Sequence, residues 1–104
     1  MASVELRFAD LVLDEATREV WRGQARVELT PREFDLLRYF LLNPRFVLSK
    51  QQILDRVWDE DFGGDPSIVE TYVSYLRRKL DPLGPPLIHT VRLVGYALRE
   101  PRPS

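Results

Sequence analysis

Cysteine is absent from the 104 residues of this chain, and histidine occurs once. Without cysteine there is no disulfide framework, no thiolate metal site and no thiol nucleophile. The one histidine, His89, falls in a predicted strand without an evident nucleophile or metal partner. The chain also lacks a glycine-rich phosphate loop and any metal-ligand spacing. We therefore expect neither an enzyme nor a bound metal or cofactor.

Long apolar segments are missing as well. No stretch approaches the length of a membrane span, and the first residues lack the charged and apolar regions of a signal peptide. We therefore expect a cytoplasmic protein with no membrane partner. The composition, 44% apolar and 30% charged, is that of a globular protein. A chain of 104 residues is long enough to bury a hydrophobic core without disulfide bonds or metal ions to support it. The prediction is one domain over residues 1–104, with a disordered tail at 101–104.

Charge is unevenly distributed along the chain. The net charge of −1 argues mildly against a protein that binds nucleic acid through overall charge alone. Residues 1–66 hold 9 Lys/Arg and 13 Asp/Glu, a net of −4, whereas residues 67–104 hold 6 and 3, a net of +3. This distribution is compatible with local contacts to phosphates, made by the positively charged residues 67–104.

The first thirty residues have the pattern of short strands. Val4, Leu6 and Phe8 alternate with polar neighbours, and further apolar pairs follow after turn signals near residues 14–17 and 22–24. This pattern predicts a small antiparallel sheet with one buried face.

Three helix starts follow. Thr30-Pro31-Arg32-Glu33 combines a threonine N-cap, a proline at the first helical position and a glutamate that completes a capping box. Ser49 and Gln52 form the same box for a second helix. A third helix begins near Pro66, and its cap is either Asp65 or Ser67; the sequence leaves both open.

The third helix, residues 67–80, has two unequal faces. An apolar stripe recurs at helical spacing through Val69, Val73, Leu76 and Leu80. The opposite face carries hydroxyls and a guanidinium, which can hydrogen-bond base edges while the cluster Arg77-Arg78-Lys79 reaches phosphates. The alternative is an ordinary packed surface helix, because cations favour a helix C-terminus.

A proline-rich stretch ends this helix after Asp81, and residues 87–92 and 96–99 indicate two strands around a turn containing Gly95. The order is an N-terminal antiparallel sheet, three helices and a C-terminal hairpin. We predict an α+β winged helix-turn-helix, with helix 67–80 in the major groove and hairpin 87–99 as the wing.

At this point the chain resembles the effector domain of OmpR/PhoB-type response regulators, the output halves of bacterial two-component systems. The motifs that carry the resemblance are residues 29–37, Val47-Leu48-Ser49 with Val57-Trp58, residues 69–80, and Thr90-Val91-Arg92 before Gly95-Tyr96. They are ordered and spaced as in that family and cover almost the whole chain. The resemblance implies sequence-specific binding to double-stranded promoter DNA, as a tandem pair on direct repeats, with a monomer when the domain is isolated.

The resemblance also implies residue roles. Thr71, Ser74, Tyr75 and Arg78 occupy positions where the family's recognition helix faces the groove, Arg77 a backbone-contact position, and Thr90 and Arg92 wing positions. Ser67 would lie where its hydroxyl and free backbone N–H groups can hold a phosphate. The structural alternatives are that Tyr75 packs on its own helix and that Arg77 pairs with Glu70 or Asp81. Tyr72, Trp58 and Tyr96 are predicted to pack in the core.

The acidic loop between helices two and three is a candidate contact for RNA polymerase, again by resemblance, through Asp59, Glu60, Asp61 and Phe62. A plain solvated loop is the competing interpretation. The loop partly resembles a calcium loop, but Gly63 supplies no side-chain ligand where one is expected, so no metal site is predicted.

Two departures from the family pattern stand out. Leu93 replaces the glycine that usually follows the wing arginine, and its branched side chain disfavours positive φ, so we expect an altered wing turn. The chain also has no receiver domain. We therefore expect an isolated effector domain, or a fragment of a full-length protein in which it would contact its own receiver domain; a stand-alone regulator is the alternative.

The rival prediction for the function is a winged helix that binds another protein and recognises no specific DNA sequence.

Overall fold

The computed structural model of the protein describes residues 4–58 and 64–101. Four short strands form an antiparallel meander at the N-terminus: β1 (Glu5–Phe8), β2 (Leu11–Asp14), β3 (Glu19–Arg22) and β4 (Ala25–Val27). Alternation places Leu11 and Leu13 on one face, where both are fully buried, and Val20 pairs with Leu13 across the sheet. The predicted sheet with one buried face is confirmed.

The first two helices begin at the predicted caps. The Thr30 hydroxyl accepts from the Glu33 N–H, and Glu33 accepts from the Thr30 N–H, at the start of α1 (Pro31–Leu42). Ser49 and Gln52 make the same reciprocal pair at the start of α2 (Lys50–Val57). Each box satisfies two of the N–H groups that a helix start otherwise leaves unpaired.

The third helix is α3 (Ser67–Leu80), and the side chain of Asp65 caps its first turn. The Asp65 carboxylate accepts from the Ser67 N–H at 2.9 Å, and its carbonyl accepts from the Ile68 N–H. Pro66, which precedes α3, already has helical φ and ψ, as the fixed φ of proline favours. Of the two caps left open by the sequence, the structure selects the aspartate. A short 3-10 turn (Asp81–Leu83) follows the helix.

The C-terminal hairpin joins a third strand that the sequence did not indicate. The strands β6 (Ile88–Val91) and β7 (Gly95–Leu98) pair with each other, and β7 also pairs with the two-residue strand β5 (Leu48–Ser49). Two residues are too few to show alternation, which is why β5 was missed. The predicted winged-helix architecture is confirmed, with its hairpin in the predicted place.

The wing turn corrects two expectations. Gly95 is in β7 rather than in the turn, where a Cβ would lie 2.0 Å from the Leu48 carbonyl oxygen; glycine is needed for close strand approach. The turn is Arg92–Val94, and the Val94 N–H donates to the Val91 carbonyl. Leu93 adopts φ 68°, so the turn keeps the left-handed residue that a glycine would supply, and the expected departure of the backbone is wrong.

One core joins the N-terminal sheet, the helices and the wing. Phe40 and Leu37 of α1, Ile53 of α2 and the whole predicted stripe of α3 are buried in it. Trp58 and Tyr96 are also buried and Tyr72 is half-buried against the core, as predicted. Within the described ranges, none of the helices is long and apolar enough to span a bilayer. Residues 59–62 and most of the predicted tail lie outside the described residues.

Candidate nucleic-acid interface

The outer face of α3 is a row of hydroxyls and one guanidinium. Burial of the apolar stripe fixes the rotation of the helix, so the residues on the opposite side are turned to solvent. This outer row consists of Ser67, Thr71, Ser74, Tyr75 and Arg78, of which Ser74 is half-buried and the others are exposed. The structure therefore brings together on one face every α3 residue that was assigned to the groove.

Tyr75 is held in place by a chain of aromatic rings. Its ring contacts that of Tyr72 edge-to-face at a centroid distance of 5.3 Å, and Tyr72 contacts the buried Trp58 in the same way at 5.3 Å. Edge-to-face geometry matches the positive ring edge to the negative ring face. Tyr75 thus packs on its own helix, as the structural alternative proposed, while 40% of its surface remains exposed for contact with a ligand.

Arg78 and Arg92 have no internal partner in the part of the chain that the structure describes. Neither guanidinium makes a hydrogen bond or an ion pair with residues 4–58 or 64–101, and both side chains are exposed. Arg78 lies in the last turn of α3, and Arg92 lies in the turn of the wing. Two cations on neighbouring elements are therefore available to an anionic partner.

Arg77 is engaged with the wing. Its guanidinium donates to the Ile88 carbonyl at 3.0 and 3.2 Å and to the Thr90 hydroxyl oxygen at 2.8 Å, and it lies over the ring of Tyr96. The alternatives of pairing with Glu70 or Asp81 are wrong, because the hairpin passes within reach of the arginine. Arg77 and Thr90, assigned separately as DNA contacts, are partners of each other and fix β6 against α3.

Lys79 points away from the outer row. Its ammonium group donates to Glu33, which is buried at the start of α1. Burial raises the pKa of Glu33, but hydrogen bonds from Lys79 and from the Thr30 N–H outweigh it and lower the pKa below its ordinary value. The expectation that Lys79 reaches phosphates is wrong: the side chain joins the end of α3 to α1.

Arg22 holds the C-terminus of α3 from the N-terminal sheet. This arginine is 2% exposed, and it donates to the Leu80 carbonyl at 2.7 Å, to the Pro85 carbonyl and to Asp10 at 3.2 Å. A cation beside the last carbonyls of a helix is favourable. Gly84 makes room for it, since a Cβ there would lie 2.8 Å from the guanidinium. Sequence reasoning took Arg22 as part of a turn and missed this role.

The N-terminus of α3 is already occupied. The N–H groups of Ser67, Ile68 and Val69 donate to Asp65 or to the Pro66 carbonyl. The expectation that free N–H groups beside Ser67 hold a phosphate is wrong, because the Asp65 cap fills that position with its own carboxylate. The Ser67 hydroxyl remains exposed, and its role as a DNA contact stays a prediction.

The one acidic residue within α3 is neutralised by α2. Lys50 donates to the carboxylate of Glu70, and this hydrogen bond raises the pKa of Lys50. Among the described residues, no three His, Asp or Glu side chains are grouped as metal ligands would be. The candidate polymerase contacts Asp59, Glu60, Asp61 and Phe62 lie outside the described residues.

These features define the class of the domain. Two capped helices precede a third whose polar face lies beside an arginine-bearing hairpin, which is the arrangement of a winged helix-turn-helix protein that reads DNA with its third helix.

Comparison with known proteins gives the family. Residues 23–98 match the family described as "Transcriptional regulatory protein, C terminal". The response regulator MprA of Mycobacterium tuberculosis is 54% identical over 102 residues, covering 97% of this chain and 44% of MprA. The C-terminal domain of the nisin resistance regulator NsrR aligns with a TM-score of 0.80 at 34% identity, over 94% of this chain and 100% of that one.

A DNA complex is among the similar structures. The DNA-binding domain of Klebsiella pneumoniae RstA, solved in complex with the RstA box, has a TM-score of 0.77 at 28% identity, over 91% of this chain and 96% of that one. The chain belongs to the family of C-terminal domains of transcriptional regulatory proteins, the OmpR/PhoB-type DNA-binding effector domains. The predicted family is confirmed, and its description places the domain in transcriptional regulatory proteins. The chain spans about two fifths of the length of the curated relatives it matches.

Proposed function

We propose that this domain binds a specific duplex sequence with α3 in the major groove and the hairpin 87–99 against the flanking minor groove. The observation that carries the proposal is the pair Arg78 and Arg92, which extend from the reading helix and the wing and are without partners among the described residues. The Arg77 bridge to Thr90 fixes the separation between helix and wing, so both grooves are contacted in one docking geometry.

The outer row supplies different chemistry from the two arginines. Hydroxyls of Ser67, Thr71 and Ser74 and the phenol of Tyr75 accept or donate hydrogen bonds at base edges, which confers selectivity. Thr71 already donates weakly to the Ser67 carbonyl at 3.4 Å, so its oxygen remains an acceptor. Arg78 suits a guanine edge or a phosphate, and Arg92 suits the negative potential of a narrow minor groove.

The wider setting follows from the family. We propose that the domain acts in the cytoplasm without catalytic activity, as the output half of a full-length regulator with a receiver domain. It is a monomer alone and a tandem pair on direct repeats in promoter DNA. The loop containing Asp59 and Phe62 is proposed to contact RNA polymerase, because four acidic groups around an aromatic side chain complement a basic partner surface.

Selection of bound duplexes from a random pool tests DNA binding. We expect the selected duplex to bind more tightly than a scrambled one by about a thousandfold, the lower end for specific complexes. Equal affinity for both at moderate salt would contradict DNA reading and favour a protein-binding winged helix.

A matched pair of variants tests the arginine. Arg78→Ala is expected to weaken binding to the selected duplex by about tenfold or more, consistent with loss of one base or phosphate contact. Arg26→Ala removes the same charge from β4, where Arg26 pairs with Glu19 and Glu28, and should leave binding unchanged. Equal losses in the two variants would show a diffuse electrostatic effect instead of a contact.

A further inference from the structure

The tip of the wing carries an apolar side chain that the fold does not use. Leu93 is 99% exposed and the neighbouring Val94 is 51% exposed. Leu93 also has φ 68°, a conformation that a leucine adopts at a cost and a glycine does not. Because the side chain buries no surface in the domain, stability alone favours glycine at this position.

The same turn presents a cation. Arg92 and Leu93 are the two central residues of the turn closed by the Val94 N–H to the Val91 carbonyl. The Arg92 guanidinium is without a partner among residues 4–58 and 64–101. A guanidinium and an apolar side chain therefore project together from the end of a hairpin that is braced against α3 by Arg77.

We propose that Leu93 is an apolar contact to the DNA minor groove, next to the arginine. The inference rests on the proposed function, since it extends the same interface by one residue. Minor-groove proteins combine cations, which read groove width, with apolar side chains that press on sugars and base edges. The tip of this wing supplies both, and its strained backbone aims the leucine outward.

This contact discriminates between base pairs by shape. The minor-groove floor of an A·T pair carries only acceptors, whereas a G·C pair adds the guanine 2-amino group, which occupies the space of an inserted side chain. The wing of this protein therefore prefers an A·T pair at the position that Leu93 touches. A glycine at the tip would remove this steric preference, while the charge of Arg92 would still contribute to binding.

Base analogues provide the test. Each flanking position of the selected duplex is made A·T, G·C or inosine·C; inosine keeps the major-groove edge of guanine but lacks the 2-amino group. At one position we expect the native domain to bind A·T and inosine·C equally and G·C about fivefold more weakly. Leu93→Gly should lower affinity for the A·T duplex about fivefold and bind all three duplexes equally.

Three variants separate the apolar contact from backbone and charge effects. Leu93→Asn tolerates positive φ without an apolar side chain, so it should behave as Leu93→Gly does. Both should retain the native salt dependence and an unfolding midpoint at or above that of the native domain. Arg92→Ala should instead reduce the salt slope, by about one phosphate contact or less.

The outcomes are distinct. Native-like affinity and flank ranking in Leu93→Gly would overturn the proposal while leaving DNA reading intact. Restoration of native behaviour by Leu93→Asn would also overturn it, since backbone geometry would then explain the effect. Equal binding of the A·T, G·C and inosine·C duplexes by the native domain at every flanking position would overturn it too. Equal affinity for the selected and the scrambled duplex would instead refute the proposed function.

Discussion

Cations that lie next to one another at the end of α3 have opposite surroundings. Arg77 is bound to β6 and Lys79 to the buried Glu33, whereas Arg78 between them has no partner among the described residues. Arg22 and Arg92 extend the contrast: one is enclosed with three partners, and the other is exposed on the wing. The number of basic residues in this segment therefore exceeds the number of cations without an internal partner among the described residues, because part of the charge holds α3 in position.

The largest expected effect on stability is at Arg22. Arg22→Ala should lower the free energy of unfolding by about 3 kcal/mol, because it leaves the carbonyls of Leu80 and Pro85 without a donor in a closed site. Urea unfolding followed by circular dichroism measures this loss. Arg26→Ala on the neighbouring strand is the control, with an expected change within about 0.5 kcal/mol. Similar losses in the two variants would remove the distinction between enclosed and exposed arginines.

The next effect is at Glu33 and depends on pH. Its folded pKa is lowered, so its contribution to stability is fully present above the ordinary value of 4.5 and is lost as pH falls through the folded pKa. Glu33→Gln keeps an acceptor for the Thr30 N–H and should cost about 1–2 kcal/mol at pH 7. Its unfolding free energy should then fall less than that of the native domain below pH 4.5.

An exposed carboxylate supplies the control for that comparison. Glu28, whose side chain is 83% exposed, pairs with Arg26 at the surface and with no other group in the ranges 4–58 and 64–101, so Glu28→Gln should retain the native pH profile. If Glu33→Gln and the native domain lost stability in parallel between pH 5 and 3, the Lys79 pair would have no part in acid sensitivity.

The smallest expected loss of stability is at Arg77. This variant also separates a structural role of the arginine from a contact with phosphate. Arg77→Met keeps an apolar stem over Tyr96 and removes the hydrogen bonds to β6, at a cost of about 1 kcal/mol. Hydrogen exchange should show faster opening of the β6–β7 pairing. The salt slope of DNA binding should fall less than in Arg78→Ala. An equal fall in slope without loss of stability would support the predicted role of Arg77 as a phosphate contact.

Local chemistry made much of the fold predictable from sequence. The capping boxes at Thr30 and Ser49 act within one helical turn, and the stripe from Val69 to Leu80 repeats at helical spacing, so neighbouring residues contain the signal. The face of α3 that carries Thr71 and Arg78 follows directly from that stripe. These features need no information about how distant segments meet.

Pairs between distant segments were not predictable. Lys79 and Glu33 are 46 positions apart, and Arg22 and Leu80 are 58 apart, so no local pattern links them. In sequence, Arg77, Arg78 and Lys79 are one basic run; their different roles appear only when α1 and the wing are placed around α3. The error at Leu93 has a different cause. Branched side chains disfavour positive φ, but the hairpin turn requires positive φ at this residue and outweighs that preference.

The separation of roles along Arg77–Arg78–Lys79 has a consequence for divergence after gene duplication. Under the proposed function, substitution at Arg78 or Tyr75 alters the surface offered to DNA without removing a hydrogen bond between α3 and another element, so a duplicated copy can acquire a new operator while remaining above its stability threshold. Substitution at Arg77 or Lys79 lowers stability first. Under the proposed function, new binding specificity is therefore most accessible through Tyr75 and Arg78, which are three residues apart on the outer row, with Arg77 and Lys79 unchanged.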